Sequence, residues 1–218
     1  MAKQNINSKQ GFTIIEVVLV LAIAGLIFLM VFVALPALQR SQRDTARRND
    51  MSRVDTSLVQ YQTNHSTSNN NLPNADGTNA ITWPGSDTLP ASNESCNEAC
   101  QFVRDYMNTG STEKDKDNEF NDPDGTPYSM VITPNWSKSS NVKDASITVT
   151  RGGKSYTAQL KVNNGKGSIT GDTAYDAHAV FIVPGGRCDN SDVVPSQQRH
   201  FAILYRLEGA GTYCIDDQ

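Results

Sequence analysis

Twenty-two consecutive residues near the start of the chain, 17–38 (VVLVLAIAGLIFLMVFVALPAL), carry no charge and no strongly polar side chain. As a helix at 1.5 Å per residue they span about 33 Å, the thickness of a bilayer's hydrocarbon core. Such a run must lie in lipid or be covered by other helices. The rest of the 218 residues is polar enough that charged side chains still make up 19% of the whole, and its length suits one ordinary soluble domain.

Charge divides along the same line. Residues 1–53 hold seven Lys/Arg and three Asp/Glu, whereas residues 54–218 hold twelve and twenty. An acidic head repels phosphate backbones, so direct nucleic-acid binding by it is not expected. All four cysteines, Cys96, Cys100, Cys188 and Cys214, follow the apolar run. An even number confined to one side points to two disulfides in an oxidising compartment. No histidine lies near them at zinc-ligand spacing.

Residues 1–11 (MAKQNINSKQG) are short and polar, with Lys3 and Lys9. A secretory signal would place its small-residue cleavage site after the apolar stretch; here Gly11 stands before it, in KQGFTIIEVVLVLAIAGLIF. Glu16 lies inside the apolar segment, where a charge at full membrane depth costs about 2.5–3.5 kcal/mol. A carboxylate kept there calls for a cationic partner within an assembly of such helices, unless it reaches the headgroups.

This combination resembles the class III leader of type IV pilins and their relatives. The resemblance implies cleavage by prepilin peptidase between Gly11 and Phe12, methylation of the new Phe12 amine, and an assembly role for Glu16 opposite the terminal amine of a neighbouring subunit. Thr13, Ile14 and Ile15 continue the motif. Gly25 matches a glycine of the family helix, and Pro36 stands about three residues later than the usual proline; local loosening between these breakers is expected within a filament. Arg40, Arg43, Arg47 and Arg48 follow the run and by charge alone would hold the C-terminal side in the cytoplasm. The cysteines and the leader place it outside, leaving the arginines to lipid phosphates or a solvated helix face.

The expected fold class is α+β: a long N-terminal helix packed by its second half on an antiparallel β-sheet head, as in the pilin fold. Residues 1–11 form the leader, 12–38 the membrane and filament-core helix, and 39–62 its amphipathic continuation. Met51, Val54, Leu58 and Tyr61 recur on one stripe there, with Arg47, Arg53, Asp55 and Gln62 on the polar side. Residues 63–125 form a connecting region, rich in Asn, Ser, Thr, Pro and Gly through residue 95, with a short helix near 94–108. Residues 126–218 supply the sheet and the C-terminal disulfide region, with strands at 128–133, 145–151, 155–162, 177–183 and 201–207 and turns at 152–153 and 163–167. Four thiols allow three connectivities. Cys188–Cys214 with Cys96–Cys100 is favoured, the first because many pilins close a C-terminal loop in this way; the second, at i and i+4, needs a distorted turn.

Little chemistry stands out. In 113–125 (EKDKDNEFNDPDG), Asp115, Asp117, Glu119, Asp122 and Asp124 offer hard oxygen ligands for calcium, against the simpler reading of a solvated acidic loop. Asp189 and Asp192 form a weaker acidic patch. Residues 122–128 (DPDGTPY) resemble the DPWGNPY-like motif of major pseudopilins of type II secretion, with Asp124 in place of tryptophan. Asn64, Asn93 and Asn135 lie in N-x-S/T sequons. His65, His178 and His200 are scattered, with His178 and His200 expected at the surface or at strand ends, and no catalytic motif accompanies them. The sequence thus points to a non-enzymatic filament subunit for adhesion or twitching motility. Copies of itself and related pilins, prepilin peptidase and an assembly platform with its ATPases are the expected partners. Its place would be the inner or cytoplasmic membrane as a precursor and then an extracellular pilus. The rivals are a pseudopilin of a secretion or DNA-uptake machine and a signal-anchored surface binding protein that never polymerises.

Overall fold

The computed structural model describes residues 11–65, 72–74, 77–83, 97–107, 120–137, 144–171, 173–208 and 211–217. The chain divides into two compact units, Met1–Gln42 and Arg43–Gln218. Helix α1 (Ile14–Asn64) begins in the first and ends in the second. Thr13 precedes it as the N-cap residue: its carbonyl accepts from the Glu16 and Val17 amides at 3.1 and 3.4 Å.

In the second unit, Met51, Val54 and Leu58 are fully buried and Tyr61 packs partly buried against the same core, as the stripe predicted. Among the described residues, the head built around them has two five-stranded sheets rather than one. The first runs β1 (Ile81–Trp83), β2 (Ser129–Ile132), β6 (Ala179–Pro184), β9 (Phe201–Arg206), β10 (Thr212–Asp216). The second runs β3 (Ala145–Arg151), β4 (Lys154–Asn163), β5 (Lys166–Thr170), β8 (Asp192–Pro195), β7 (Gly186–Asp189). Pairing is antiparallel except between β2 and β6. That parallel pair is possible because the chain between β2 and β6 carries three strands of the other sheet, ample length for a crossover.

The central strands of the first sheet, β2, β6 and β9, are buried on both faces. Met130, Ile132, Val180, Ile182, Ile203 and Tyr205 join the core under α1, and the alternate residues Val131, Phe181, Val183, Ala202 and Leu204 pack with Ile147, Val149, Leu160 and Ile169 of the second sheet. Burial on both faces explains why β6 and β9 read as nearly continuous apolar runs. The head is therefore layered as helix, sheet, sheet. In the second sheet β3 alternates buried and exposed, and one face of β3–β5 meets solvent. Its hairpins turn at Gly152–Gly153 and Asn164–Gly165, all with positive φ, the requirement of a two-residue I′ turn.

Five strands were not expected. β1 lies in the Asn/Ser-rich connecting region, and β5, β7, β8 and β10 are short segments interrupted by Gly, Asp and Asn. The short helix resolves as α2 (Glu98–Phe102), capped by the Asn97 side chain, continuing into a π-turn at Val103–Met107.

Cys188 on β7 is bonded to Cys214 on β10, so the disulfide staples the two sheets together. Cys100 is also disulfide-bonded; Cys96, its expected partner, lies outside the described residues. With a sequence separation of 26 between Cys188 and Cys214, a loop-entropy estimate gives about 3.5 kcal/mol. Replacing both cysteines by serine is expected to lower the urea midpoint of the head accordingly. An unchanged midpoint would show that β7 and β10 hold without the staple.

Candidate functional site

The first candidate is the start of α1. Thr13 donates to Glu16 Oε2 twice, from its backbone N–H at 3.0 Å and from its hydroxyl at 2.9 Å. This is one arm of a capping box, with the third helical residue reaching back to the cap. The carboxylate thus points to the chain's N-terminal side, one residue from Phe12. Phe12 is 89% exposed, and large apolar side chains from Ile14 to Leu38 stand exposed along the helix. The helix passes unbroken through Gly25, where an added Cβ would meet nothing, and through Pro36. Pro36 has no N–H to give the carbonyl of Phe32, but the surrounding helical turns keep it in place. By length and composition this helix can cross a membrane, and none of its most apolar stretch is buried within the chain.

Residues 6–32 match the family described as the prokaryotic N-terminal methylation motif. That motif, on a long apolar helix, is consistent with a type IV pilin-like protein. A leader of this class marks a chain for prepilin peptidase and for assembly into pilin-type polymers. No curated protein and no solved structure matches the chain. The pilin-like architecture, a long apolar helix followed by β-sheets, agrees with the leader.

The second candidate lies in the head of this pilin-like chain, around Arg47. Expected on the polar side of α1, it is completely buried. Its Nε and Nη2 bind Asp122 Oδ2 and Oδ1 at 2.7 and 2.8 Å, Nη1 reaches Asp44 at 3.0 Å and Glu208 at 3.2 Å, and Nη2 also meets the Tyr175 hydroxyl. These five contacts match the five N–H donors of a guanidinium. The Arg47 carbon also lies 5.0 Å from the centre of the Tyr175 ring. Arg43 adds a second fork onto Glu208 at 2.6 and 2.8 Å. A signal for this was present: Asp44 and Arg47 continue the 3–4 spacing of Met51, Val54 and Leu58, so they share the buried stripe. Burial of an arginine is permitted here because its donors meet carboxylates from three parts of the chain.

Asp122 is the other hub. It accepts from Arg47, from the Tyr205 hydroxyl at 2.9 Å and from the Asp124 amide at 3.1 Å. His178 was expected at the surface or a strand end; it sits just before β6 but is buried, with Nδ1 3.3 Å from Asp122 and Nε2 3.3 Å from Asp124. Of the calcium candidates, Asp115, Asp117 and Glu119 lie outside the described residues, and the other two meet His178. The atoms of Asp122, Asp124 and His178 are close enough to hold a metal ion. Yet the imidazole uses opposite nitrogens toward the two carboxylates, and Asp122 already faces a guanidinium. A divalent cation there would have to displace Arg47's fork. Asp189 pairs with Lys166 at 2.5 Å, and Asp192 accepts from Ser168 at 2.6 Å. Of the sequons, Asn135 is buried, and its amide donates to Gln198 and accepts from Ser137; the folded chain cannot present it for glycosylation. Asn64 is exposed, and Asn93 lies outside the described residues.

The cluster sets an acid limit. Burial alone would raise the Asp122 carboxyl, but hydrogen bonds from His178 and Arg47 outweigh it and hold the group well below the usual range. Glu208 is held at about 2, first by the Arg43 hydrogen bond. Unfolded, both take up protons near pH 4; folded, both resist. Their contribution is therefore complete above about pH 5 and lost as pH falls toward 2. Asp50 and Asp55, raised mainly by burial, act in the opposite sense and soften the loss. The urea midpoint is expected to fall steadily below pH 4.5; a flat profile from pH 6 to 2.5 would contradict this assignment.

Proposed function

We propose that the chain is a structural subunit of a type IV pilus, assembled through α1 after cleavage between Gly11 and Phe12, and serving adhesion or twitching motility. The observation that carries this reading is the methylation motif on an apolar helix whose side chains are exposed along its length. Such a surface is soluble only in lipid or in a bundle of like helices. The leader accounts for the first environment before cleavage, and the filament core for the second. Partners follow from the same features: prepilin peptidase at the leader, other copies along the helix, and a platform with ATPases that draws subunits from the membrane. The path runs from the inner or cytoplasmic membrane to an extracellular filament. No chemistry is asked of the head, in keeping with a structural role.

Mass spectrometry of the native protein is expected to find Phe12 as the first residue, with one added methyl group. An intact residue 1 would overturn the reading and favour an anchored surface protein.

A pseudopilin of a secretion or DNA-uptake machine is the second reading, favoured by the DPDGTPY segment. That segment forms a tight turn in which the Gly125 amide donates to the Asp122 carbonyl at 2.7 Å and Asp122 turns inward to Arg47. Filament length separates the two: long surface fibres support a pilus, short periplasmic ones a pseudopilus.

A further inference from the structure

A sheet that ends in a free strand presents a row of unpaired N–H and C=O groups, a template for another strand. Among the described residues the two sheets of the head end in four strands, β1, β10, β3 and β7, and all but one of these edges are closed. The outer edge of β1 meets α2, where the Asn97 side-chain amide donates to the Thr82 carbonyl at 3.0 Å. The ends at β10 and β7 are fastened to one another. The Cys188–Cys214 disulfide joins them, and the Cys188 amide donates to the Asp216 carboxylate at 2.7 Å. The remaining edge is β3.

This strand is long for an edge and lacks the usual guards of proline, bulge or inward charge. Its seven residues contain no proline and pair with β4 without a bulge, from Ala145 opposite Leu160 to Arg151 opposite Lys154. Its one charge, on Arg151, is turned onto its own chain, donating to the Asp176 and Pro127 carbonyls at 3.1 and 2.8 Å. The two-residue turn at Gly152–Gly153 closes on Arg151 and Lys154 as a hydrogen-bonded pair, and bonding alternates back from there. Arg151, Val149, Ile147 and Ala145 therefore direct their N–H and C=O groups at β4, whereas those of Thr150, Thr148 and Ser146 face outward. The Thr148 and Thr157 hydroxyls approach to 3.0 Å, as side chains do in a non-hydrogen-bonded pair. No backbone hydrogen bond joins the three outward residues to another described residue beyond β4.

We propose that β3 is a docking edge for β3 of a second copy, the two strands running antiparallel about Thr148. Centred there, Thr148 faces Thr148, Ser146 faces Thr150 and Ile147 faces Val149. Each outward N–H then meets an outward C=O of the other copy. Hydroxyls lie beside hydroxyls on the solvent face, and Ile147 and Val149, both buried against the first sheet, lie beside one another on the inner face. Arg151 comes opposite Ala145, so no like charges are opposed. The strand is its own complement, and strand addition of this kind takes its affinity from main-chain hydrogen bonds. A two-fold contact closes on a pair. On the filament reading above, which supplies many copies of the edge, the pairing therefore joins neighbouring filaments side by side, not successive copies along one.

The test uses the full-length chain, in which no described cysteine is free, in a host with a prepilin peptidase and assembly machinery. Membranes and sheared filaments carrying Thr148→Cys are treated with a short bifunctional thiol reagent, and a homodimer linked through position 148 is expected. Ser146→Cys alone should give no link, because its two copies lie four positions apart along the paired strands, about 13 Å. Mixed with Thr150→Cys chains, it should link. Adding Thr148→Asp to that mixed pair sets two carboxylates opposite one another and should cut the link at least about tenfold. Thr148 is exposed, so the urea midpoint of the head should not move. Wild-type filaments should lie in bundles and Thr148→Asp filaments singly. No link at 148, equal linking at 146 and 148, or capture of a different protein in place of the copy overturns the pairing and leaves the filament reading intact. Links in membranes without any wild-type polymer uphold the pairing and overturn the filament.

Discussion

Replacing Arg47 with methionine is expected to cost about 3–5 kcal/mol of head stability, the range for breaking a buried ion pair by removing one partner. A domain has only about 5–15 kcal/mol in all. The methionine fills much of the volume but leaves the fully buried Asp122 side chain without its forked donor. It also takes from Asp44 and Glu208 the Nη1 donor they share, leaving Glu208 to Arg43. Trp83 and Trp136, both buried, report unfolding by fluorescence in urea on the detergent-solubilised chain. Arg47→Lys keeps the charge but gives three donors from a point and no fork, so an intermediate loss is expected. Arg47→Met with Asp122→Leu removes both buried charges and should recover part of the deficit, since the penalty lies in the orphaned carboxylate rather than in lost attraction. A midpoint for Arg47→Met within about 0.5 kcal/mol of wild type would show that the cluster is solvated and the site misassigned.

What the sequence made legible follows from the range of the interactions. The leader, the helix and its inner stripe are local patterns, and Met51, Val54 and Leu58 sit where their spacing put them. The β3–β4 hairpin was legible for the same reason, since Gly152–Gly153 sits between alternating strands. The second sheet was not, because β7 and β8 are four residues each and are held by partners distant in the chain. Arg47 was misread because charge alone was taken as a sign of exposure. Its burial depends on Asp122, 75 positions away, and no local pattern carries that pairing. His178 was placed correctly at a strand end, but the carboxylates that bury it approach only through the turn at Asp122–Gly125. The calcium reading weighed Asp122 as one of five acidic neighbours in sequence. In the fold it is the counter-ion of an arginine.

Glu16→Ala is expected to leave cleavage at Gly11–Phe12 intact while lowering filament yield by more than tenfold. The cleavage point precedes the helix, and near it the substitution removes only two contacts, those of Thr13 to Glu16 at 3.0 and 2.9 Å. A lost cap of this kind costs about 1 kcal/mol, too little to unfold a helix that membrane or neighbours hold. Assembly is different. On the proposed reading, removal of the leader would create an ammonium at Phe12, which would then have to enter a bundle of apolar helices. There an unpaired charge is far more costly than in water, and a carboxylate attracts it far more strongly. Glu16 is the one acidic residue between Met1 and Leu38, so within that segment nothing else can supply the opposite charge. Glu16→Gln separates the two roles. The amide oxygen still accepts from Thr13 and preserves the cap, but it carries no charge. If the charge matters, the glutamine variant should be processed normally and fail to assemble as fully as the alanine one. Filaments from the glutamine variant at wild-type yield would assign Glu16 to capping alone and leave the Phe12 amine to find its counter-charge elsewhere.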